Sequence, residues 1–488
     1  VPISPERSAV RASLFNVPVP LDHTDDVFVL NTFTDAQAVV SRDVAALLAR
    51  LAHDDLSTDR LSAAERAALE ALRAEGFLVS SHDTERTMVR EHFARQRDDT
   101  SQLRVTVLTT LQCNFACDYC VQGDHGSVPA GQRMSMDTAA RTLGWIEGRL
   151  DALRPETCVL TFFGGEPLLN LPVVYFLAEA CWRTCQARGV RLLVNVITNG
   201  LLLTSEVVDR LAPYGLNGIK VTLDGARDTH DQQRPLRGGQ PTFDRIVENV
   251  RRVAGRCRIA IGGNFEESSA GSFEELLDYL AAQDFAPLLD KVAFKPVIRP
   301  KPAPAAAPGG VIPLALLKPG QPVAAGAASP RPAAAASSPC DTCHFVDDQM
   351  AALREATTAR GFRTVDGVHM GPCELHKRHA YTLGPDGTMY SCPGFTGEPN
   401  LAVGHIDGGN ERFAQAAAHF EQLSPWRPAC GDCAFVPVCG GGCSVAAHTE
   451  QGDLHAPSCH KGSFEAGVTT LARHAVATAP AELAGVAG

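Results

Sequence analysis

Cys113, Cys117 and Cys120 stand in the stretch Cys113-Asn-Phe-Ala-Cys117-Asp-Tyr-Cys120, just after the strand-like run Arg104–Thr110. Three thiolates at a C-x3-C-x2-C spacing on one short loop can ligate three irons of a cubane 4Fe–4S cluster, and they leave the fourth iron without a protein ligand. An iron left open can bind a small molecule and pass it an electron. A closed structural zinc site would need a fourth ligand to complete its tetrahedron. Farther along, Thr161-Phe-Phe-Gly-Gly-Glu-Pro167 ends a second strand-like run. Its two glycines permit close approach of backbone to a ligand. Glu166 adds a carboxylate suited to an amino group rather than a phosphate.

A second cysteine array lies in the last third of the chain. Cys373 is followed by Gly387-Thr-Met-Tyr-Ser-Cys392, then by Cys430-x2-Cys433-x5-Cys439-x3-Cys443, and finally by Cys459. Seven thiolates at irregular spacing suit two auxiliary 4Fe–4S clusters; the C-x2-C pair also suits structural zinc. The chain has sixteen cysteines and its first residues carry no basic-then-apolar signal pattern. A cytoplasmic location with reduced thiols is therefore expected, and a disulfide scaffold is not. Cys158, Cys181, Cys185 and Cys257 fall in apolar periodic segments and are expected to be core or helix-surface thiols.

The elements that must position these residues follow from pattern. With 488 residues, 45% of them hydrophobic, the chain can fill two or three cores. Net charge is −11 with no long basic run, which argues against nucleic acid as a partner. No stretch reaches the ~18–20 apolar residues of a membrane span. Strand candidates Arg104–Thr110, Cys158–Phe163, Val190–Thr198, Gly218–Leu223, Cys257–Gly262 and Lys291–Ile298 alternate with helix candidates Thr138–Leu150, Val173–Arg188, Ser205–Leu211, Phe243–Val253 and Phe273–Gln283. This alternation predicts βαβ units on a parallel sheet. Six units make an α/β fold of the partial (β/α)6 TIM-like barrel type, with the active site on loops at the C-terminal strand ends.

Flanking this core, residues 1–100 are expected to form a small unit. It holds a strand at Val27–Leu30, a helix over Ala45–Leu51, and a capping box Ser62-Ala-Ala-Glu65 opening a helix with Leu69 and Leu72 inward. Gly76 is the expected C-cap, and the chain returns as a strand at Phe77–Val79. Strands around short helices suggest a winged-helix-like domain. Its seventeen acidic residues against eleven basic ones favour peptide binding or packing over DNA. The remaining segments are a core at 101–298, a Pro/Ala-rich linker at 299–339, a cysteine-rich domain at 340–465 with little periodicity and so organised by metal, and a tail at 466–488.

The triplet with Tyr119 before its last cysteine, together with Gly164-Gly-Glu-Pro167, resembles the radical S-adenosylmethionine (SAM) superfamily over 104–298. The resemblance implies that SAM binds the open iron, that Gly164, Gly165, Glu166 and Pro167 receive its amino group, and that Tyr119 belongs to the same cofactor site. Ile197-Thr-Asn-Gly200 and Val221-Thr-Leu-Asp-Gly225 close the third and fourth strands. By the same resemblance Asn199, Thr222 and Asp224 line the cofactor, and Arg234 contacts its carboxylate. The alternatives are a tight turn at Asn199-Gly200 and a surface salt bridge for Arg234. His230 lies in the same segment. The second array is similar to the seven-cysteine SPASM extension of radical SAM peptide-modifying enzymes. That likeness implies an outer cluster on Cys430, Cys433, Cys439 and Cys459, and an inner one on Cys373, Cys392 and Cys443. The inner set is one ligand short, so Cys340 or Cys343 completes it or its iron stays open.

What the resemblance implies about function is reductive cleavage of SAM to a 5′-deoxyadenosyl radical and oxidative modification of a ribosomally synthesised peptide, a thioether or carbon–carbon crosslink before epimerisation. The N-terminal domain would then recognise a leader peptide as an added strand. Expected partners are that precursor peptide and a reductant such as flavodoxin or ferredoxin, with no nucleic acid and no membrane. Two alternatives stand beside this: formylglycine formation on a protein, as in anaerobic sulfatase maturases, and a non-catalytic iron–sulfur electron carrier. No residue presents itself as a general base.

Overall fold

In the computed structural model, residues 10–22, 24–53, 62–120, 132–298, 341–365, 368 and 371–478 are described. The six expected core strands are present as Gln102–Thr110, Thr157–Gly164, Arg191–Thr198, Leu216–Thr222, Ile259–Phe265 and Leu289–Pro296. They pair in parallel, each beside its predecessor. A strictly sequential order means that every crossover steps the same way, as in a barrel wall rather than a doubly wound sheet. Their composition explains the burial. In the first strand buried Leu103, Val105 and Val107 alternate with half-buried Gln102, Arg104 and Thr106, one face on the core.

Helices follow each strand and their starts are written locally. Ser135 caps Met136–Leu153 by accepting from the Thr138 N–H, and Thr204 caps Ser205–Leu211 through the Val207 N–H. Ile146 and Leu150, Val207 and Leu211, and Ile246 and Val250 share one core with Val105, Leu160, Val196 and Val221. Strand residues between these, such as Lys220 and Thr222, therefore face the inside of the barrel. Cys158, Cys181 and Cys185 are buried in the core; Cys257 is half-buried in the turn before the fifth strand. A short helix at Arg227–Gln233 has no counterpart among the sequence expectations.

The sheet does not stop at the core. Strand Ala380–Leu383 pairs in parallel with Gln102–Thr110, and Thr388–Tyr390 and Ala402–His405 extend it antiparallel to nine strands. The segment 340–465, read as cysteine-rich with little periodicity and organised by metal, carries regular elements. Besides these strands, the segment carries a helix at Asp341–Ala359 and shorter ones at Ala414–Glu421 and Ser444–Gln451. The sequence hid them because each strand is only three or four residues long, too short for alternation to register. Helix Lys461–Thr478 runs through the expected boundary at 465, and its Val468 and Ala472 are buried. The 299–339 tract lies outside the described residues.

Within the N-terminal unit, Asn16–Pro20, Val27–Asn31 and Gln37–Val40 form a three-stranded antiparallel sheet beside helices Arg42–His53, Ala63–Ala74 and His82–Arg97. The capping box between Ser62 and Glu65 is formed, and Leu69 and Leu72 are buried. Glu75 caps the helix and Gly76 follows at φ 85°. The sheet packs on the cysteine-rich segment: Phe28 and Leu30 share a cluster with Phe435, Phe464 and Val468. Arg86 adds a two-pronged ion pair to Asp432 at 2.6 and 2.9 Å. No helix among the described residues is long and apolar enough to cross a membrane.

Candidate functional site

The cysteine loop leaves the first strand at Thr110, and the second strand ends beside it at Gly164. Gly164 has φ 130°, and a Cβ there would fall 2.2 Å from the Thr110 carbonyl oxygen. One on Gly165 would fall 2.3 Å from the Gln112 oxygen. The Gly165 and Glu166 N–H groups donate to those same two carbonyls at 3.0 Å each. The space on the Cβ side of these glycines is therefore filled by the backbone at Thr110 and Gln112, which leads into the cysteine loop.

Glu166 also has a structural task. Its side chain is fully buried and accepts from the Leu168 N–H (2.9 Å), the Thr198 hydroxyl (2.8 and 3.0 Å) and the Asn199 N–H (2.8 Å). Burial pushes its pKa up, and these hydrogen bonds together with Arg234 pull against that. Both oxygens are taken by protein donors, so the side chain ties the second strand end to the third. Pro167 follows at the start of a short 3-10 turn, and its carbonyl accepts from Thr109. Asn199 then forms the expected turn, its Oδ1 accepting from the Leu201 N–H. At the same time its Nδ2 donates to Asn114 at 2.8 Å and lies 3.9 Å from the Cys113 sulfur.

The opposite flank is a buried charge network. Arg234 Nη1 donates to the Tyr119 hydroxyl (2.6 Å) and to Asp224 (3.2 Å), and Tyr119 donates to Asp224. Asp224 also accepts from the Asn264 N–H at 2.6 Å and its amide at 3.2 Å. Arg234 is 8% exposed, which rules out the surface salt bridge. Its guanidinium lies 5.5 Å from the Phe115 ring centroid, inside the cysteine loop, at cation–π distance. His230 is a support: its Nδ1 accepts from the Asp224 N–H and its Nε2 meets Thr242. Burial and Arg234 hold its pKa well down, so it stays neutral. Thr222 stands half-buried at the end of its strand.

Tyr119, Cys113 and Cys117 are thus held against Asn199, Asp224 and Arg234, as the sequence placed them. Burial raises the Cys113 thiol to about 11 and raises Cys117, against the pull of Arg234. A metal binding here would have to displace protons from the thiols. Arg234 Nε is buried with no hydrogen-bond partner among the described residues. A buried cationic donor left over beside two thiols fits an anionic group bound at this loop.

In the second array, Cys392 interacts electrostatically with Cys373 and Cys443, while Cys430 and Cys439 interact with each other and with Cys433 and Cys459. The seven fall into the same three and four that the resemblance implied. Burial raises Cys392 and Cys439 to about 12. Among the described residues no three His, Cys, Asp or Glu side chains converge tightly enough for one metal ion; a cubane spreads its thiolates over separate irons, which suits the looser grouping. Between the two groups lies Arg427, 1% exposed, which feels Cys430, Cys373 and Cys439. Its Nη2 reaches Ser444, whereas Nε and Nη1 have no partner among the described residues. Gly441 makes its place, since a Cβ there would sit 2.7 Å from Nε. Cys340 and the side chain of Cys343 lie outside the described residues. The sequence gave no role to Asn114, Phe115, Thr198, Asn264 and Arg427; the first three stand inside quoted motifs, whereas Asn264 and Arg427 are brought in only by the fold.

Residues 107–278 match the Radical SAM superfamily, and the barrel is a radical SAM domain. The chain is 34% identical to the AdoMet-dependent heme synthase of Methanosarcina barkeri over 142 residues, 29% of this chain and 36% of that protein. It therefore spans little more than a third of that relative's length. It is 24% identical to the mycofactocin maturase MftC of Mycobacterium ulcerans over 356 residues, 69% of this chain and 81% of that protein. Among solved structures, anSMEcpe with bound AdoMet superposes with a TM-score of 0.57 at 16% identity, covering 78% of this chain and 97% of that one; that likeness speaks to the fold.

Gly165→Ala should force the two loops apart at a cost of about 1–3 kcal/mol, the range for overpacking. The expected outcome is a lower unfolding midpoint together with less iron bound per chain. A wild-type midpoint and iron content would show that the contact is not needed.

Proposed function

We propose that this radical SAM enzyme oxidatively modifies a ribosomally synthesised peptide, captured by the N-terminal unit and held between the SAM site and two auxiliary 4Fe–4S clusters. The observation that carries this is one continuous nine-stranded sheet joining the Cys113–Cys120 loop to the seven-cysteine segment, on which is docked a small sheet whose Gln37–Val40 edge has no further strand among the described residues. Bound at Cys113, Cys117 and Cys120, the cluster and SAM would supply a 5′-deoxyadenosyl radical that abstracts hydrogen from the substrate. The chain's own residues set the stage for it. Asn199 orients the loop at Cys113, Arg234 supplies a fixed positive charge with a spare donor, and Asp224 holds Arg234 and Tyr119 in place. Glu166 keeps the loops in register, and ligand contacts in the Gly164–Pro167 stretch fall to its backbone. Cys373, Cys392 and Cys443 would hold the inner auxiliary cluster, and Cys430, Cys433, Cys439 and Cys459 the outer one, with Arg427 offsetting their negative charge.

The N-terminal sheet has two edges. Asn16–Pro20 carries Pro18 and Pro20, which offer no N–H to a further strand. Gln37–Val40 has no such block, and Val39 is 49% exposed. The Asn31 N–H bonds to the Ala36 carbonyl, and alternation along an antiparallel ladder then turns the N–H groups of Gln37 and Val39 outward. A leader peptide added here as a strand would meet those donors. The product class favoured is a thioether or carbon–carbon crosslink, and the reductant a flavodoxin or ferredoxin. The fold shared with anSMEcpe supports a second reading, formylglycine formation on a protein, which leaves the docked edge without a task.

Replacing Cys113, Cys117 and Cys120 together by alanine should abolish 5′-deoxyadenosine formation under dithionite while iron remains at the other seven cysteines; retained formation would sink the assignment. Val39→Pro should weaken binding of a peptide encoded beside the gene by tenfold or more, about 1.4 kcal/mol, read by titration. Unchanged affinity would move recognition elsewhere. Arg427→Met should lower an auxiliary midpoint potential, because a nearby positive charge favours the added electron; about 1.4 kcal/mol corresponds to about 60 mV for one electron. Potentials identical to wild type would detach Arg427 from the clusters.

A further inference from the structure

Three lysines line the inside of the barrel wall. The register sets Lys220 of the fourth strand, Ala260 of the fifth and Lys291 of the sixth in one row. Ile219 and Val221 pack outward, and Phe294 stacks edge-on against Phe273 of a covering helix at 4.7 Å. Side chains alternate across a strand, so Lys220, Lys291 and Lys295 point inward. Two strand spacings, roughly 10 Å, separate the Cα atoms of Lys220 and Lys291, within reach of two long side chains converging on one group. Gly262, one row above, helps them converge: a Cβ there would lie 2.3 Å from Lys220 Cε. Only a glycine lets Lys220 lie across the fifth strand toward the sixth.

None of the three lysines has an ion pair or side-chain hydrogen bond among the described residues. Asp224, which acts on Lys220, is committed to Arg234, Tyr119 and Asn264. Lys220 is open to water, yet enclosure by the barrel, with Lys295 and Lys291 next to it, pulls its pKa down to about 8. Like charges gathered on one inner wall repel one another, and an anion bound among them would relieve that repulsion. Lys295 shares a row with Asn264, which holds Asp224, and it also acts on Cys392. The lysines thus span the distance between the cofactor loop and the inner cysteine trio.

The geometry points to a substrate-carboxylate site formed by Lys220, Lys291 and Lys295 inside the barrel. This rests on the peptide reading above, for the anions that an unmodified peptide carries are carboxylates. Either an Asp or Glu side chain or the peptide's C-terminus would seat the residue to be modified beneath the cofactor. Lysines act as compact point charges without the planar fork of arginine, so both carboxylate sources are accepted by the same chemistry.

The test is protection of Lys220 from acetylation, read site by site by mass spectrometry on the reconstituted full chain. The probes are N-acetyl-glutamate amide for a side chain and N-acetyl-alanyl-alanine for a C-terminus, each beside its neutral amide counterpart. A carboxylate probe should slow Lys220 labelling saturably by threefold or more. Neutral counterparts and chloride at equal ionic strength should not. Lys291→Met, which removes a charge, and Gly262→Ala, which displaces Lys220 without removing one, should each weaken that protection several-fold. Stronger protection by one probe assigns the source. Labelling that neither carboxylate slows, or that chloride and neutral probes slow equally, overturns the site. Protection without any peptide ever being modified would sink the peptide reading and leave the site standing; a modified peptide without protection would sink the site alone.

Discussion

The contact on which the rest depends is between backbones. The carbonyls of Thr110 and Gln112 lie where side chains of Gly164 and Gly165 would be, and they accept the N–H groups of Gly165 and Glu166. This fixes the cysteine loop to the end of the second strand without any side chain between them. From there Glu166 carries the constraint to Thr198 and Asn199, and Asn199 returns it to the loop at Asn114 and Cys113. Three consecutive strand ends are thereby closed into one frame around the three cysteines.

Charge inside that frame is costly and is arranged to be matched. A buried carboxylate with too few donors, or a guanidinium without an anion, loses several kcal/mol of hydration. Glu166 meets its need with neutral donors, and Asp224 meets part of Arg234's. Among the described residues, one nitrogen of Arg234 and two of Arg427 are buried without a hydrogen-bond partner, and the lysines of the barrel wall have no ion pair. Though the chain as a whole is acidic, these positive groups lie along the line from the cofactor loop to the cysteine array. The radical SAM domain supplies a setting in which negative groups would arrive at those places.

The barrel was legible because its strands are long and its helices amphipathic. Ser205–Leu211 and Phe243–Val253 have the bounds their periodicity predicted, and the capping box at Ser62 formed as written. The site was legible where a motif has spacing: the triplet, the glycine loop and the seven later cysteines. Roles were harder than positions. Glu166 is a strut because Thr198 and Leu168 reach it, and no local pattern announces that. The strands of the cysteine-rich segment are three or four residues long, and Ala380–Leu383 takes its partner from residue 104 onward, so no local alternation marks them. A further signal is Lys220 in Gly218-Ile-Lys-Val-Thr-Leu223, a charge between the buried Ile219 and Val221.

The pairing of Ala380–Leu383 with Gln102–Thr110 bears on how the chain is made. The first core strand leaves the ribosome with one edge that its own barrel never covers; the covering strand follows some 270 residues later. At roughly 5–20 residues per second that is about 15–55 s of synthesis. Through that interval the open edge Gln102–Thr110 is a template for pairing with other chains. Its middle, Val105-Thr-Val-Leu108, is β-branched and apolar. Yield of intact protein thus turns on completion of the distant cysteine segment, and truncated chains ending before residue 380 are the ones most prone to aggregate.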